Sequence, residues 1–300
     1  MIRTILILLF PVFAFGQQGM LLVGEAAAAP AGLLLDTYTG AAAAFATMKL
    51  RADADSCMVI RRSSDDATQL IGFSGNDIDE SAISTHCSGT DCFVVRWCDQ
   101  TGQGLDAVQT TAAAQPKIYD SSTGIMKEGG KTAVDFDGSD DFLLVGGVFA
   151  SDVNISTFLV VQSDNTTINQ YIYDNSNSLS YGGGYSARFM NSGGFRIWAQ
   201  YAIRNAAGGS TTNDTQYLVS AISNNTGGET NTLYMDGSQV DTNTGATNSR
   251  DAKTETRMGH SERFGGYLNG TIQVLIAYPS DQSANRTGIE TNINNYFSIY

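Results

Sequence analysis

From residue 117 onward the chain is a succession of short apolar runs cut by turn residues, and this rhythm constrains its fold more than any other feature. Candidate strands are Ala133–Phe136, Phe142–Val145, Thr157–Gln162, Tyr171–Tyr173, Ala187–Met190, Phe195–Tyr201, Gln216–Ile222, Thr232–Met235, Thr256–Gly259 and Gly266–Tyr278. Gly, Asn and Asp separate many of them, as in Tyr234-Met-Asp-Gly237, where Asp-Gly is a hairpin signal. Strands this numerous and this short bury their apolar faces best as two packed sheets. With 32 glycines in 300 residues and only 16% charged side chains, the composition suits turns and strands rather than long helices.

The first third is more mixed. Ala41–Leu50 reads as a short helix, from its alanines and from the spacing of Ala41, Phe45 and Met48. Cys57–Arg62 and Phe93–Cys98 read as strands. Asp77-Ile-Asp-Glu80 has the form of a capping box, opening a helix that ends near Cys87. Ser280–Tyr300 reads as a final helix, with Ile289, Ile293 and Tyr296 or Phe297 on the face that meets the sheets. The expected fold class is therefore all-β, a two-sheet sandwich with a few short peripheral helices.

Residues 1–16 read as a signal peptide: Arg3, an apolar run from Thr4 to Phe15, and small residues at Ala14 and Gly16 before Gln17. The run is shorter than the ~20 residues that span a bilayer, and no later segment is apolar enough to do so. Residues 17–36 form a lead-in, and 37–300 one domain. Export places the chain outside the cell or on a virion surface, where an even number of cysteines suggests disulfides. Cys87 and Cys92 flank a turn-forming Ser-Gly-Thr-Asp and should pair. Cys57 and Cys98 lie in two strand-like runs and are a second candidate pair. A formal net charge of −13 repels phosphate backbones, so nucleic acid is not an expected partner.

Three segments occur in a telling order: Arg61-Arg-Ser-Ser-Asp-Asp66, then Cys87-x4-Cys92, then a strand ending in Asp99-Gln-Thr-Gly-Gln-Gly104. Together they resemble the N-terminal half of the catalytic domain of the α-L-arabinofuranosidase B family. Val134-Asp-Phe-Asp-Gly-Ser-Asp-Asp-Phe142, Leu233-Tyr-Met-Asp-Gly237 and Gly266-Tyr-Leu-Asn-Gly-Thr-Ile272 are similar to signatures of laminin-G-like, concanavalin A-like jelly rolls. The resemblance spans about residues 37–300 and implies a jelly-roll sandwich. In the family's Tyr-Asp-Gln-Ser-Gly-Asn-Gly motif a tyrosine stands where this chain has Cys98, which adds interest to the pair with Cys57. The family's separate arabinose-binding domain is not expected here, since the sequence ends at Tyr300. The Gly32-Leu-Leu-Leu-Asp36 lead-in also resembles domains of phage tail and virion proteins, which raises self-assembly as an alternative role.

The resemblance implies a retaining glycosidase, which needs two carboxylates ~5–5.5 Å apart. The stretch matching the family's nucleophile strand, Gly194-Phe-Arg-Ile-Trp-Ala-Gln-Tyr201, contains no carboxylate. In the turn matching its acid, Gly259-His-Ser-Glu-Arg263, Glu262 is the only one. The catalytic pair thus looks broken, and Glu262 is the one catalytic candidate left. A non-catalytic module binding a carbohydrate or a cell-surface glycan is the first expectation, an arabinofuranosidase-type hydrolase the second, and a structural virion or filament subunit the third. Tyr181, Tyr185, Trp198, Tyr201 and His260 are the ligand-contact candidates, because rings offer a sugar a flat apolar face and a polar edge. His260 beside Glu262 also suggests an acid–base couple. No cofactor is expected. Asp135, Asp137, Asp140 and Asp141 offer oxygen ligands to Ca²⁺, though a strand face followed by a turn explains them as well. Asp65 and Asp66 read as loop caps. No Gly-x-Ser-x-Gly, P-loop or His-Glu-x-x-His motif occurs.

Overall fold

The computed structural model describes residues 32–148, 154–175, 184–199, 205–224, 229–245 and 255–300. The expected signal peptide, most of the lead-in, Tyr181 and Tyr201 lie outside the described residues. Every strand expected after residue 117 forms, with its ends moved by a few residues. The Asp-Gly hairpin joins Glu229–Met235 to Ser238–Gly245, and both turn residues take left-handed φ, 48° at Asp236 and 75° at Gly237.

The strands pair antiparallel in two layers. One runs, neighbour to neighbour, through Ala43–Ala46, Asn269–Tyr278, Ile155–Ser163, Tyr217–Asn224, Glu229–Met235 and Ser238–Gly245. The other runs through Thr68–Ser74, Ser56–Arg62, Cys92–Trp97, Ala107–Val108, Leu143–Gly146, Glu255–Met258, Gln170–Asp174, Tyr185–Met190, Gly194–Ala199 and Asn205–Gly208. Lys117–Asp120 links the layers, bonding to Cys92–Trp97 on one side and to Val134–Asp137 on the other. The architecture is an all-β jelly-roll sandwich. Its core lies between the layers and includes Phe45, Trp97, Phe136, Leu159, Phe189, Phe195 and Leu275. Full burial of each such side chain stabilises by roughly 1.5–3 kcal/mol.

The first sheet has a roof. On its outer face Ala44, Ala46, Phe158, Val160, Leu218, Val274 and Ile276 form a second apolar cluster with Leu34, Leu35, Ile289, Ile293 and Phe297. The last three belong to the C-terminal helix Arg286–Phe297 and share the face expected of it. This roof explains why Ala41–Leu50 is not the helix its alanines favour. Ala43–Ala46 is a strand paired with Val274–Ala277, and all four of its residues are buried. Ala43 and Phe45 face the core while Ala44 and Ala46 lie under the roof. Alternation at period two buries both faces, which a helix there would not do.

The Asp99–Gly104 loop ties down this strand and the chain after it. Asp99 Oδ1 accepts from Ala44 N–H (3.0 Å). The Gln100 carboxamide accepts from Leu50 N–H (2.7 Å) and donates to the carbonyls of Ala46 and Met48 (3.0 Å each). Gln103 donates to Ala41 O (2.8 Å). The side chains of this motif therefore satisfy backbone groups that have no strand partner.

The helix before Cys87 is Glu80–His86, capped by Asp79, whose Oδ1 accepts from Ala82 N–H (2.9 Å). The cap falls two residues later than expected, because Asp77 is drawn into the short strand Asp77–Ile78. Cys87 and Cys92 form a disulfide. Cys57 and Cys98 do not; both are free thiols. Their backbones are adjacent, Cys98 N–H donating to Cys57 O (2.8 Å). A bulge beside Cys57 turns its sulfur into the core, towards Ala46 O (3.4 Å), whereas Cys98 lines a polar depression with Arg51, Arg96 and Asp106.

Gln100→Ala should cost about 3 kcal/mol in urea denaturation, because it leaves Leu50 N–H and Met48 O unpaired and Ala46 O with only the weak Cys57 thiol donor. Replacing Cys87 and Cys92 by serine should cost about 2 kcal/mol, given the short loop they close. Burial raises both free thiols, Cys98 to about 11 and Cys57 well above its ordinary value. In the folded protein both should alkylate slowly at neutral pH, Cys98 before Cys57.

Candidate functional site

Among the described residues, no helix covers the outer face of the second sheet. Leu70 (52% exposed) and Val108 (37%) stand open on it. Cross-strand register aligns Val59, Arg96, Val108, Leu144, Arg257, Asp174 and Ser186 in one row across the sheet. Directly opposed residues share a face. Trp198 is opposite Ser186 in the register. A second row holds Tyr171, Arg188, Arg196 and Ala207. The residues that alternate with these, such as Ala187, Phe189, Phe195 and Ile197, point into the core.

One corner of this face is rigidly built. The turn after Met258 begins with Gly259 at φ +88°, where a Cβ would come within 2.5 Å of the Phe136 ring, so only glycine fits. His260 follows, bridging Tyr267, with the two rings stacked at 3.9 Å and 10°. Phe142 lies 5.8 Å away on another side. The imidazole is only 7% exposed, which leaves little of it for the ligand contact expected from the sequence. Its pKa is pushed down to about 4, by burial first and by the Arg257 guanidinium second, with Glu262 opposing. Ser261 Oγ donates to the buried Asp174 carboxylate and accepts from Phe264 N–H (3.1 Å), locking the turn to the sheet. Phe264, 40% exposed, stacks on Tyr171 at 5.6 Å and 4°. Arg188 Nη1 donates to the Tyr171 hydroxyl (2.6 Å).

Glu262 binds Arg257 (3.1 Å). His260 lies among rings, so the acid–base couple suggested by their spacing is not formed among the described residues. The two acids at this corner, Asp174 and Glu262, are thus each engaged by a neighbour, Ser261 and Arg257 respectively. The strand Gly194–Ala199 brings no carboxylate but places Arg196 on the open face.

Tyr185 is not a contact residue of this face. It is 6% exposed and belongs to the core, where its hydroxyl donates to Ser223 Oγ (3.1 Å). The alternation of its strand sends it inward together with Ala187 and Phe189. The residues that sequence reasoning missed are Arg188, Arg196, Arg257 and Phe264. For the three arginines the signal was present in the period of the strands, since each strand residue opposite the core-facing set must face outward; Phe264 lies in a turn, where no such period exists.

The acidic turn after Val134–Asp137 is hydrogen-bonded to itself. Asp141 Oδ2 accepts from Asp137 N–H (3.0 Å), and Asp137 Oδ1 accepts from Ser139 N–H (2.8 Å) and Asp140 N–H (3.4 Å). Ligand oxygens of Asp137, Asp140 and Asp141 lie within 4.8 Å of one another. Burial pushes Asp135 to about 6 and Asp141 to about 7. Asp65 caps Ala67 N–H (3.1 Å) and binds Arg62, while Asp66 binds Arg61 (2.8 Å), as loop caps do.

No family model and no curated protein sequence matches this chain. Solved structures do. A glycoside hydrolase family 54 α-L-arabinofuranosidase, a Glu-to-Gln mutant soaked with 4-nitrophenyl α-L-arabinofuranoside, superimposes with a TM-score of 0.65 at 18% identity over 87% of this chain. An arabinofuranosidase complexed with arabinofuranosyl-α-1,2-xylobiose gives 0.61 at 16% identity over the same share. This chain spans 64% of the length of each of those chains. At these identities the likeness speaks for the fold.

The folded state resists protonating His260, whereas the unfolded chain accepts that proton near pH 6.5. Stability from this group is therefore fully present above pH 6.5 and is lost as pH falls towards 4. An NMR titration should place the His260 midpoint near pH 4. The loss of urea stability between pH 6.5 and 4 should be smaller in His260→Gln than in the wild type.

Proposed function

We propose that the chain is a glycan-recognition module that binds without hydrolysing, through the unroofed face of its second sheet. The observation that carries this reading is the asymmetry of the two outer faces. Two helices cover one of them, while the other presents rings, guanidinium groups and apolar side chains to solvent. Flat rings and fixed hydrogen-bond donors are what a sugar needs from a protein surface. The rim at Phe264 and Tyr267, with the buried Tyr171 supporting Phe264 from beneath, offers that combination on a rigid turn rather than a loose loop. The fold shared with arabinofuranosidases supplies the scaffold, and the carboxylate-free strand Gly194–Ala199 argues against retained hydrolysis. The disulfide Cys87–Cys92 fits an extracellular or virion-surface setting.

Isothermal titration of the full chain against soluble plant, algal and bacterial glycans should detect binding. Phe264→Ala should weaken it roughly tenfold, the scale on which one buried ring contact is lost. The same preparation should leave an aryl α-L-arabinofuranoside intact. Turnover that disappears in Glu262→Gln would replace this reading with a hydrolase.

A further inference from the structure

Two arginines face each other on the open face. Arg188 and Arg196 are directly opposed across an antiparallel pair, on the side of the sheet away from the core. Like charges in that position cost stability unless something compensates. Arg188 is held in place by the Tyr171 hydroxyl (2.6 Å), its guanidinium carbon 5.3 Å from the centre of that ring. Arg196 is different. Its Nε is buried with no hydrogen-bond partner, and no described carboxylate lies within ion-pair distance of it. Burial first, and the charge of Arg188 second, press its pKa downward.

The rest of the molecule makes this unusual. Acidic residues outnumber basic ones by 30 to 17, so a cation has many acidic residues to pair with. Arg51, Arg61, Arg62, Arg96, Lys117, Lys127, Lys131, Arg257 and Arg286 all have ion-pair partners. At the same corner Asp174 is engaged by Ser261 and Glu262 by Arg257. In the register the residue beyond Arg196 is Ala207, too small to reach across it. Two forked donors side by side, one of them unsatisfied, match the planar or tetrahedral oxygens of a carboxylate or a sulfate. Phe264, stacked on the Tyr171 that fixes Arg188, puts an exposed ring next to the pair.

We propose that Arg188 and Arg196 bind the anionic group of an acidic glycan, a uronate carboxylate or a sulfate ester, while the exposed Phe264, backed by the buried Tyr171, supplies the apolar contact beside it. The assignment rests on the glycan-recognition reading above and narrows it to acidic sugars. Binding is expected to weaken with rising ionic strength, because the pair is only partly buried and salt screens it.

The test is isothermal titration of the full chain with three probes: polygalacturonate for the carboxylate, carrageenan for the sulfate ester, and linear arabinan as a neutral control. One acidic polymer or both should bind more tightly than arabinan, and which one binds tells the two sources apart. Arg196→Gln should weaken acidic binding roughly tenfold or more. Arg196→Lys should recover part of the loss. Lys131→Gln, which removes the same charge elsewhere, should change nothing. Without ligand, Arg196→Gln should melt at or above the wild-type temperature, since it relieves a repulsion. A clear drop would mark Arg196 as structural and overturn the proposal. Arabinan binding as tightly as the acidic polymers, or acidic binding unchanged in Arg196→Gln, would sink the anion site and leave glycan recognition standing. If no polymer binds, but free galacturonate or inorganic sulfate raises the melting temperature of the wild type and not of Arg196→Gln, the anion site stands and the glycan reading falls. Neither binding nor stabilisation would sink both.

Discussion

The strand Asn269–Tyr278 is the constraint on which the rest of the fold depends. Val134–Asp137 and Ala43–Ala46 pair along one edge of it and Ile155–Ser163 along the other, so it joins segments from both ends of the chain. Nine of its ten residues are buried. Such burial on both faces needs a core on one side and a roof on the other. Leu275 and Ile272 meet the core, while Val274 and Ile276 meet the C-terminal helix. The strand is therefore stable only when distant parts of the chain have already come together, the hallmark of a fold with high contact order.

That arrangement takes two of the three described α-helices, and the third, Glu80–His86, turns its Ile83 into the core. With Leu34–Thr37 and Arg286–Phe297 both committed to the first sheet, no described helix covers the outer face of the second. A bare sheet face is tolerated when its side chains are polar or amphipathic. Arginines on this one serve that purpose, with their guanidinium groups lying over rings. Arg257 lies 5.1 Å over Phe142, and Arg263 lies 5.0 Å over Phe264. What looks like decoration in the sequence is thus a consequence of where the roof went. The same guanidinium groups keep the face soluble and give it something to offer a ligand.

Much of this was legible beforehand, and the failures have identifiable causes. Strand positions could be read because alternation and turn residues are local signals. The Cys87–Cys92 bridge could be read because the intervening turn is local as well. Ala41–Leu50 misled because alanine's helix preference is weak beside the burial of two faces. Tyr185 misled because its aromatic character says nothing about which way a strand residue points. The burial of His260 is not legible because the stacking of Tyr267 and Phe142 around it depends on chain returns that spacing does not record. Cys57 and Cys98 are neighbours in the backbone as expected, but a bulge of one residue separates their sulfurs.

By itself the sequence determined the class of the fold, the places of most strands after residue 117, the acidic character of the whole, and the short disulfide. These follow from period, propensity and spacing, which act over a few residues at a time. Tertiary structure alone decided which sheet face would be roofed and which left open, and hence that Arg188 and Arg196 would stand together on the open face, over a buried Tyr171. Those outcomes depend on pairing between residues far apart in the chain, where a shift of one position exchanges inside for outside.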